Sequence, residues 1–255
     1  MGMNLPKLKL VLLFSLLFTC GKISAQTPRQ IEADLLRSFK KVDPANEDNS
    51  AANDLFAKKL YNYAIHNPAT INYPFALLKK EQLDINTSDD GLFRIYSWDT
   101  WTGGTTHFFE SVFQYKDGPK TLAVLDTPRQ EGDVRPNYNK LYTLKANGHA
   151  YYIAVYLTIG STKDAGGGIQ IFDTENGKLN DSVKLIKTNS GLHSAIDYSF
   201  DFFSEVDWKV RPTSFFDKVS NTLHIPLIAA NGKMTHNYII YKFTGKYFER
   251  IKNWK

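Results

Sequence analysis

The amino-acid sequence predicts a mainly β protein: an antiparallel meander of about twelve short strands, preceded by a helical prefix. Two observations carry this prediction. Asp-Gly and Asn-Gly dipeptides, which favour tight hairpin turns, recur from residue 90 onwards, with β-rich runs between them. Aromatic residues make up 14% of the chain, a composition suited to pleated, half-buried surfaces. A propeller-like array, a barrel and a sandwich are all compatible with this pattern.

The helical prefix, residues 26–89, contains two segments with helical periodicity, at about 28–42 and 51–66. Apolar residues recur there at steps of three or four: Ile31, Leu35, Phe39 and Val42 in the first segment, and Phe56, Leu60 and Ala64 in the second. A polar break separates the segments, and a short third turn begins at Pro74. The prefix is too small to hold a core alone, so we expect it to pack on the rest of the chain.

Residues 90–255 form the predicted antiparallel β domain. The turn dipeptides begin at residues 90, 117, 147, 176 and 231. Twelve β-rich runs accompany them: 92–98, 105–115, 120–125, 140–145, 150–159, 168–172, 182–187, 195–203, 213–216, 223–228, 236–243 and 246–251. The segments 93–100, 168–174 and 238–245 resemble one another, but their unequal spacing matches no propeller or solenoid period.

Residues 1–25 have the three-part pattern of a secretory signal peptide. Lys7 and Lys9 precede an apolar run at 10–18, and a small residue, Ala25, closes the leader before Gln26. The apolar run is too short for a permanent anchor, which needs about 20 such residues. We therefore expect a secreted or periplasmic protein with no stable transmembrane anchor after cleavage.

The only cysteine of the chain, Cys20, lies inside this leader. Cleavage after Ala25 would leave no cysteine, which excludes disulfides, thiolate nucleophiles and Cys-ligated zinc. Lipid attachment at Cys20 is the alternative to ordinary cleavage. The segment 17–19 does not favour it, because a bacterial lipobox places a small residue directly before its cysteine and Thr19 stands there.

The charge balance argues against a nucleic-acid partner. The chain has 31 basic and 26 acidic residues, and the leader accounts for Lys7, Lys9 and Lys22 without any acid. The chain after the leader therefore carries 31 − 3 = 28 basic residues against 26 acidic ones, a net charge of +2. No run of Lys or Arg exceeds two residues, so the basic surface that binds phosphates is missing.

The segment 160–168 is the most unusual local sequence, because it holds three consecutive glycines. One interpretation is a long hairpin loop with a glycine bulge. The other is a ligand-facing loop, in which glycine permits close backbone approach and Ser161, Lys163 and Asp164 form a polar rim. A phosphate-binding P-loop is excluded, since no Gly-Lys-Ser/Thr closes the segment and no helical pattern follows it.

The segment 99–107 is the second candidate binding loop. Trp101, between Asp99 and a pair of glycines, would offer an exposed aromatic platform, with Asp99 and His107 making polar contacts. The alternative is turn chemistry alone, with Trp101 tucked against the domain. Both candidate loops join strand-like runs through clustered glycines. We therefore expect them to lie at the same end of the β scaffold and to line one concavity.

The sequence contains no local motif that is typical of a catalytic site. The six histidines stand singly without a zinc spacing, so no metal and no cofactor are predicted. No Gly-x-Ser-x-Gly nucleophile elbow is present. The predicted function is accordingly a binding or interaction module of the cell envelope, whose ligand is a glycan or a protein. The alternative is a hydrolase of an envelope or extracellular glycan, with Asp99, Asp164 and Asp201 converging in the fold.

Overall fold

The computed structural model describes residues 26–126, 132–205 and 211–251. The leader, with Cys20 and the predicted cleavage site after Ala25, lies outside the described residues. The fold is mainly β, with antiparallel sheets and a few helices near the N-terminal side, which confirms the predicted class. Within the described ranges no sheet closes on itself, so the barrel alternative is wrong. No helix in these ranges is both long and apolar enough to cross a membrane.

The helices begin and end close to the predicted boundaries. They are α1 (Pro28–Phe39), α2 (Asn49–His66) and α3 (Ala76–Lys80), with 3-10 helices at Pro68–Asn72 and Phe202–Glu205. A capping box starts α1: Thr27 Oγ1 accepts from the Gln30 backbone N (3.3 Å), and Gln30 Oε1 accepts from the Thr27 backbone N (2.9 Å). The first helix ends before the predicted limit of 42, with Val42 buried in the turn that follows.

In the described ranges, fifteen strands form three sheets. The first sheet contains β1 (Asp84–Thr87), β2 (Phe93–Asp99), β3 (Phe109–Asp117) and β4 (Lys120–Asp126) in that order. The second contains β5 (Asn137–Ala146), β6 (His149–Ile159), β7 (Asp164–Glu175) and β11 (Ala195–Asp201), with β8 (Lys178–Asn180) on the far half of β7. The third contains β9 (Ile186–Thr188), β10 (Gly191–His193), β12 (Phe215–Asp217), β13 (Thr222–Ile228), β14 (Met234–Phe243) and β15 (Phe248–Arg250).

The sequence-based prediction missed three short strands, β1, β8 and β10. The strand β1 falls within residues 26–89, so the prefix is not wholly helical. Among the described strands, β9 and β15 pair in parallel and every other pair is antiparallel. The resembling segments 93–100, 168–174 and 238–245 fall on β2, β7 and β14, which are inner strands of the three different sheets.

Four layers stack in the order helices, first sheet, second sheet and third sheet. One core joins the helices to the first sheet, and there the rings of Phe56 and Trp98 meet edge to face at 5.1 Å. A second core, which includes Phe93 and Phe172, lies between the first and second sheets. A third core, which includes Ile171 and Phe248, lies between the second and third sheets. The second sheet is thus covered on both faces along much of its length.

The turn chemistry is as predicted. The glycine of every Asp-Gly and Asn-Gly dipeptide has positive φ: Gly91, Gly118, Gly148, Gly177 and Gly232. The segment 160–168, in contrast, is not one long loop. The strand β7 begins at Asp164, and Gly166, Gly167 and Gly168 lie in its interior, paired to β6 on one side and β11 on the other. The hairpin turn is confined to residues 160–163.

The glycines of β7 make room for tyrosines from the neighbouring strands. A Cβ on Gly167 would lie 2.6 Å from Tyr198 Oη, and one on Gly168 would lie 2.6 Å from Tyr156 Oη. Gly167 is the register partner of Tyr198, and Gly168 is that of Tyr156. Because successive residues face opposite sides of a strand, the two tyrosines cover β7 from its two faces.

Candidate functional site

The two candidate loops lie side by side, at one end of the second sheet. The His107 backbone N donates to the Ile159 carbonyl (3.0 Å), and Thr106 Oγ1 donates to the Gly160 carbonyl (2.7 Å). These bonds join the end of the 99–107 loop to the start of the 160–163 turn. The two loops are therefore adjacent at one end of the sheet, as expected.

The 99–107 loop is held by its own polar residues. Asp99 ends β2, and its Oδ1 accepts from the Trp101 backbone N (2.9 Å) while its Oδ2 bonds Nδ1 of His107. The Trp101 backbone has positive φ (52°), and its indole meets the His107 ring edge to face at 5.6 Å. When Nδ1–H donates to a carboxylate, Nε2 becomes the acceptor of the neutral ring. Trp101 is 39% exposed, so part of the indole faces solvent.

The helical prefix anchors this loop. Asn49, a buried residue at the start of α2, donates from Nδ2 to the carbonyls of Thr100 (3.0 Å) and Trp101 (2.8 Å). Thr100 Oγ1 donates to the Phe108 carbonyl (2.9 Å) and closes the base of the loop. The sequence carries no local signal for Asn49, because this residue lies on a different element from the loop that it anchors.

Ser161 serves the 160–163 turn. Its Oγ accepts from the backbone N of Lys163 (3.1 Å) and of Asp164 (3.0 Å), and it donates to Asp164 Oδ2 (2.9 Å). The backbone N of Gly160 also donates to the Asp164 carbonyl (2.8 Å). These bonds fix the conformation in which Lys163 and Asp164 leave the turn, and they occupy the Ser161 hydroxyl with structural hydrogen bonds.

An open concavity of about 580 Å³ lies beside this turn. Lys163 and Asp164 line it together with residues of the second sheet, among which are Thr158, Gly166, Ser199 and Asp201. Ser161 and the residues Asp99, Trp101 and His107 do not line it. The loops meet as expected, but the concavity belongs to the end of the second sheet rather than to the space between the loops.

Strand register explains why these side chains converge. Thr158, Gly166 and Ser199 are directly paired across β6, β7 and β11, so they form one row on one face of the sheet. Gly166 contributes no side chain to that row, and Thr158 Oγ1 lies only 2.7 Å from the position that a Cβ on Gly166 would take. Asp164 and Asp201 form the next row outward. The sequence gives no local signal for Thr158 and Ser199, whose proximity depends on strand pairing.

Two aspartates from neighbouring strands line this concavity. Asp164 and Asp201 are register partners on β7 and β11, and the Cβ atoms of such pairs lie about 4.5–5.5 Å apart. Asp164 bonds Ser161, and Asp201 Oδ1 accepts from the Phe203 backbone N (3.1 Å). Asp99 stays with His107 and does not join them. Across the described ranges, no group of three or more His, Cys, Asp or Glu residues is placed to hold a metal ion.

Comparison with protein-family models, with curated proteins and with solved structures finds no match.

Proposed function

We propose that this protein is an exported binding or interaction module of the cell envelope, and that it holds a polar ligand in the concavity at the end of the second sheet. The observation that carries the proposal is the convergence of Lys163, Asp164, Ser199 and Asp201 on one open concavity of about 580 Å³. That volume falls within the range of small-ligand sites. The site of action, outside the cell or in the periplasm, is proposed from the leader at residues 1–25.

The lining favours a ligand that carries both donors and acceptors. Lys163 supplies an ammonium donor, the two aspartates supply acceptors, and the hydroxyl groups of Thr158 and Ser199 can serve as either. A glycan or a peptide segment from the envelope meets this requirement. The neighbouring Trp101 adds a partly exposed indole on which a sugar ring or an apolar side chain could rest.

Filling the concavity tests the proposal. Ser199 is exposed on the edge strand β11 and lines the concavity, so Ser199→Trp places an indole there without disturbing a core. We expect this variant to weaken the binding of soluble envelope glycan or peptide fragments at least about tenfold in titration calorimetry. The matched control is Asn237→Trp, at an exposed position on β14. Equal binding by both variants would contradict the proposed site.

A glycan hydrolase is the second candidate, and the facing pair Asp164 and Asp201 favours it. Retaining glycosidases hold two carboxyl groups about 5–5.5 Å apart, a separation that directly paired aspartates can reach. The discriminating measurement is the release of reducing ends from envelope glycans. A hydrolase requires turnover by the wild type that Asp164→Asn and Asp201→Asn each abolish. A binding module retains glycans in a pull-down and releases no reducing ends.

Export is tested by the mass of the N-terminal peptide of the protein recovered outside the cytoplasm. Cleavage after Ala25 gives a peptide that begins at Gln26. A lipid-modified Cys20 would instead support the lipid-anchored alternative, and an intact Met1 would contradict export by this leader.

A further inference from the structure

The strand β11 is an edge of the second sheet, because β7 pairs with one of its sides and no described strand pairs with the other. Just before β11, the Ser194 carbonyl accepts from the Ile171 backbone N (2.9 Å) and so points toward β7. Successive residues of an extended strand direct their backbone groups to opposite sides. The residues of β11 whose N–H and C=O groups point away from the sheet are therefore the odd-numbered ones: Ala195, Asp197, Ser199 and Asp201.

Most of this outer side is free. The backbone groups of Ala195, Asp197 and Ser199 have no hydrogen-bond partner in the ranges that the structure describes. Asp201 differs, because its backbone N donates to the Gly232 carbonyl (2.9 Å) in the turn between β13 and β14. The side chains of Asp197 and Ser199 are exposed, so solvent reaches this edge. The edge thus offers a short row of donors and acceptors that ends at the Gly232 turn.

The opposite edge of the same sheet, β5, is treated differently. Side chains from the first sheet and from the turn before it occupy its outward backbone groups. The Tyr138 backbone N donates to Ser97 Oγ (3.2 Å), and the Tyr138 carbonyl accepts from Asn86 Nδ2 (3.2 Å). The Thr143 backbone N donates to Asp89 Oδ2 (3.3 Å). Proteins usually cover a sheet edge in some such way, and the uncovered edge at β11 is therefore available to a further strand.

The free edge continues into the concavity at the end of the second sheet. The side chains of Asp197, Ser199 and Asp201 lie on one face of β11, because alternate residues of a strand share a face. Ser199 and Asp201 line the concavity on that face. A strand paired with β11 would direct every second side chain to the same face, so one of its side chains would lie over the concavity.

We infer that a short extended peptide segment of another protein binds along the free edge of β11 and becomes an additional strand of the second sheet. Addition of a strand to an exposed sheet edge is a recurring mode of peptide recognition. A glycan chain has no backbone in which amide N–H and C=O groups alternate at the spacing of a strand. The inference names the ligand class of the proposed binding module, and so it rests on the proposed function.

A second copy of this chain fits the edge less well. The symmetric antiparallel pairing that uses all the free residues of both copies is centred on Asp197. It would place the two Asp197 side chains directly opposite each other, and like charges in that position are destabilising. A peptide from another protein does not carry this restriction.

The test begins with random heptapeptides displayed on phage and selected on the folded protein. A selected peptide, made synthetically, is then added to isotope-labelled protein, and amide hydrogen exchange is followed by NMR. We expect the amides of Asp197 and Ser199 to exchange rapidly in the free protein and at least about tenfold more slowly with peptide. The amides of Ile196 and Tyr198, which point toward β7, should be protected in both states.

N-methylation of the peptide adds a control that leaves the protein unchanged. A methyl group should weaken binding about tenfold at alternate positions, whose N–H groups face β11, and much less at the positions between them. The inference is overturned if no peptide is selected, if Asp197 and Ser199 gain no protection, or if methylation has the same effect at successive positions.

A proline variant tests the edge from the side of the protein. Ser199→Pro removes an N–H that the sheet does not use, a position at which an edge strand tolerates proline. We expect peptide binding to weaken at least about tenfold while the amides of β6 and β7 stay protected. The matched control is Asn189→Pro, at an exposed turn position whose backbone N has no described partner. Unchanged peptide affinity in a folded Ser199→Pro protein would contradict binding along this edge.

Soluble envelope glycan fragments separate the failure of this inference from that of the proposed function. If they bind, if Ser199→Trp removes that binding, and if no peptide is selected, the inference fails and the proposed function stands. If neither glycans nor peptides bind, both fail. Protection of Asp197 and Ser199 that increases with protein concentration, without any peptide, would identify a second copy as the occupant and would also overturn the inference.

Discussion

The segments 99–107 and 160–168 both contain clustered glycines and contact each other, yet glycine has a different role in each. In the first segment, the position of a Cβ on Gly103 is occupied by the carbonyl oxygen of Thr106, only three residues away, while Gly104 has nothing within 4 Å. In the second segment, Gly167 and Gly168 face tyrosines from other strands. The requirement for glycine at Gly103 is therefore local, whereas the requirement at Gly167 and Gly168 comes from residues distant in the sequence.

The two segments also differ in which residues hold them in place. The 99–107 loop depends on a buried side chain from α2, Asn49, which bonds two of its carbonyls. The 160–163 turn is held by its own Ser161 and by the strands it connects. Substitutions in the strand glycines should therefore affect the whole fold, and those around the first loop should act through the interface with α2.

The largest effect is expected from Gly168→Ala. The added Cβ would lie 2.6 Å from both the Ile196 carbonyl oxygen and Tyr156 Oη. The carbonyl belongs to a paired strand and cannot move without disturbing the sheet, so we expect a loss of about 2–3 kcal/mol in the free energy of unfolding. Urea denaturation measures it.

The matched control is Gly104→Ala, where the Cβ meets nothing within 4 Å and the backbone does not have positive φ. We expect a change below about 0.5 kcal/mol there. If both variants lose similar free energy of unfolding, the close contact of Gly168 with Tyr156 and the Ile196 carbonyl is not the reason for glycine in β7.

The second effect is expected from Asn49→Ala, which removes both hydrogen bonds to the loop carbonyls and the bond that Asn49 Oδ1 accepts from the Asp43 backbone N (3.1 Å). Because those carbonyls lie in a buried or partly buried setting, we expect a loss of about 2 kcal/mol in the free energy of unfolding. Hydrogen exchange within residues 99–107 should become faster, while exchange within β7 should not. Asn62→Ala, at an exposed position of the same helix, is the control and should leave both unchanged.

The predictable part of this fold is the part encoded by near neighbours in the sequence. Helical spacing identified α1 and α2, and turn dipeptides placed the hairpins because Asn-Gly and Asp-Gly satisfy positive φ locally. Short strands such as β1 carry too few residues to show a period. The extended conformation of Gly166–Gly168 could not be recognised, because it depends on the pairing of β7 with Tyr156 and Tyr198.

The candidate site divides in the same way. The bond between Asp99 and His107 spans eight residues, and the turn at Ser161 spans three, so both could be anticipated from the sequence. The row formed by Thr158 and Ser199 requires knowledge of the strand register. The row's exposure at the end of the second sheet depends in turn on how the sheets stack, which no spacing in the sequence reveals.

The third prediction concerns Glu110, a residue of β3 that pairs directly with Trp98 of β2. It is only 7% exposed, and burial raises the pKa of its carboxyl group although Asn53 bonds it. The folded state therefore binds the proton more tightly than the unfolded state, and stability falls as pH rises from the unfolded pKa, near 4.5, through the raised folded pKa.

Glu110→Gln removes this titration and should make the protein more stable than the wild type at pH 7. The difference should shrink to near zero at a pH below the unfolded pKa. Urea midpoints at several pH values measure it, and Glu47→Gln, at an exposed position, should show no such trend. A Glu110→Gln protein that is less stable than the wild type at pH 7 would show that the charged carboxylate contributes to folding.

The smallest effect is expected from Ser161→Ala. The change removes two bonds accepted from backbone N–H groups and one donated to Asp164, all at an exposed turn where water replaces them. We expect a loss of about 0.5–1 kcal/mol in the free energy of unfolding, because solvent compensates most of the lost hydrogen bonding. Thr162→Ala, at an exposed neighbouring position, is the control. Ligand binding in the concavity should be affected only through Lys163 and Asp164, whose positions the turn determines. A variant that loses binding without any loss of stability would show instead that the Ser161 hydroxyl contacts the ligand itself.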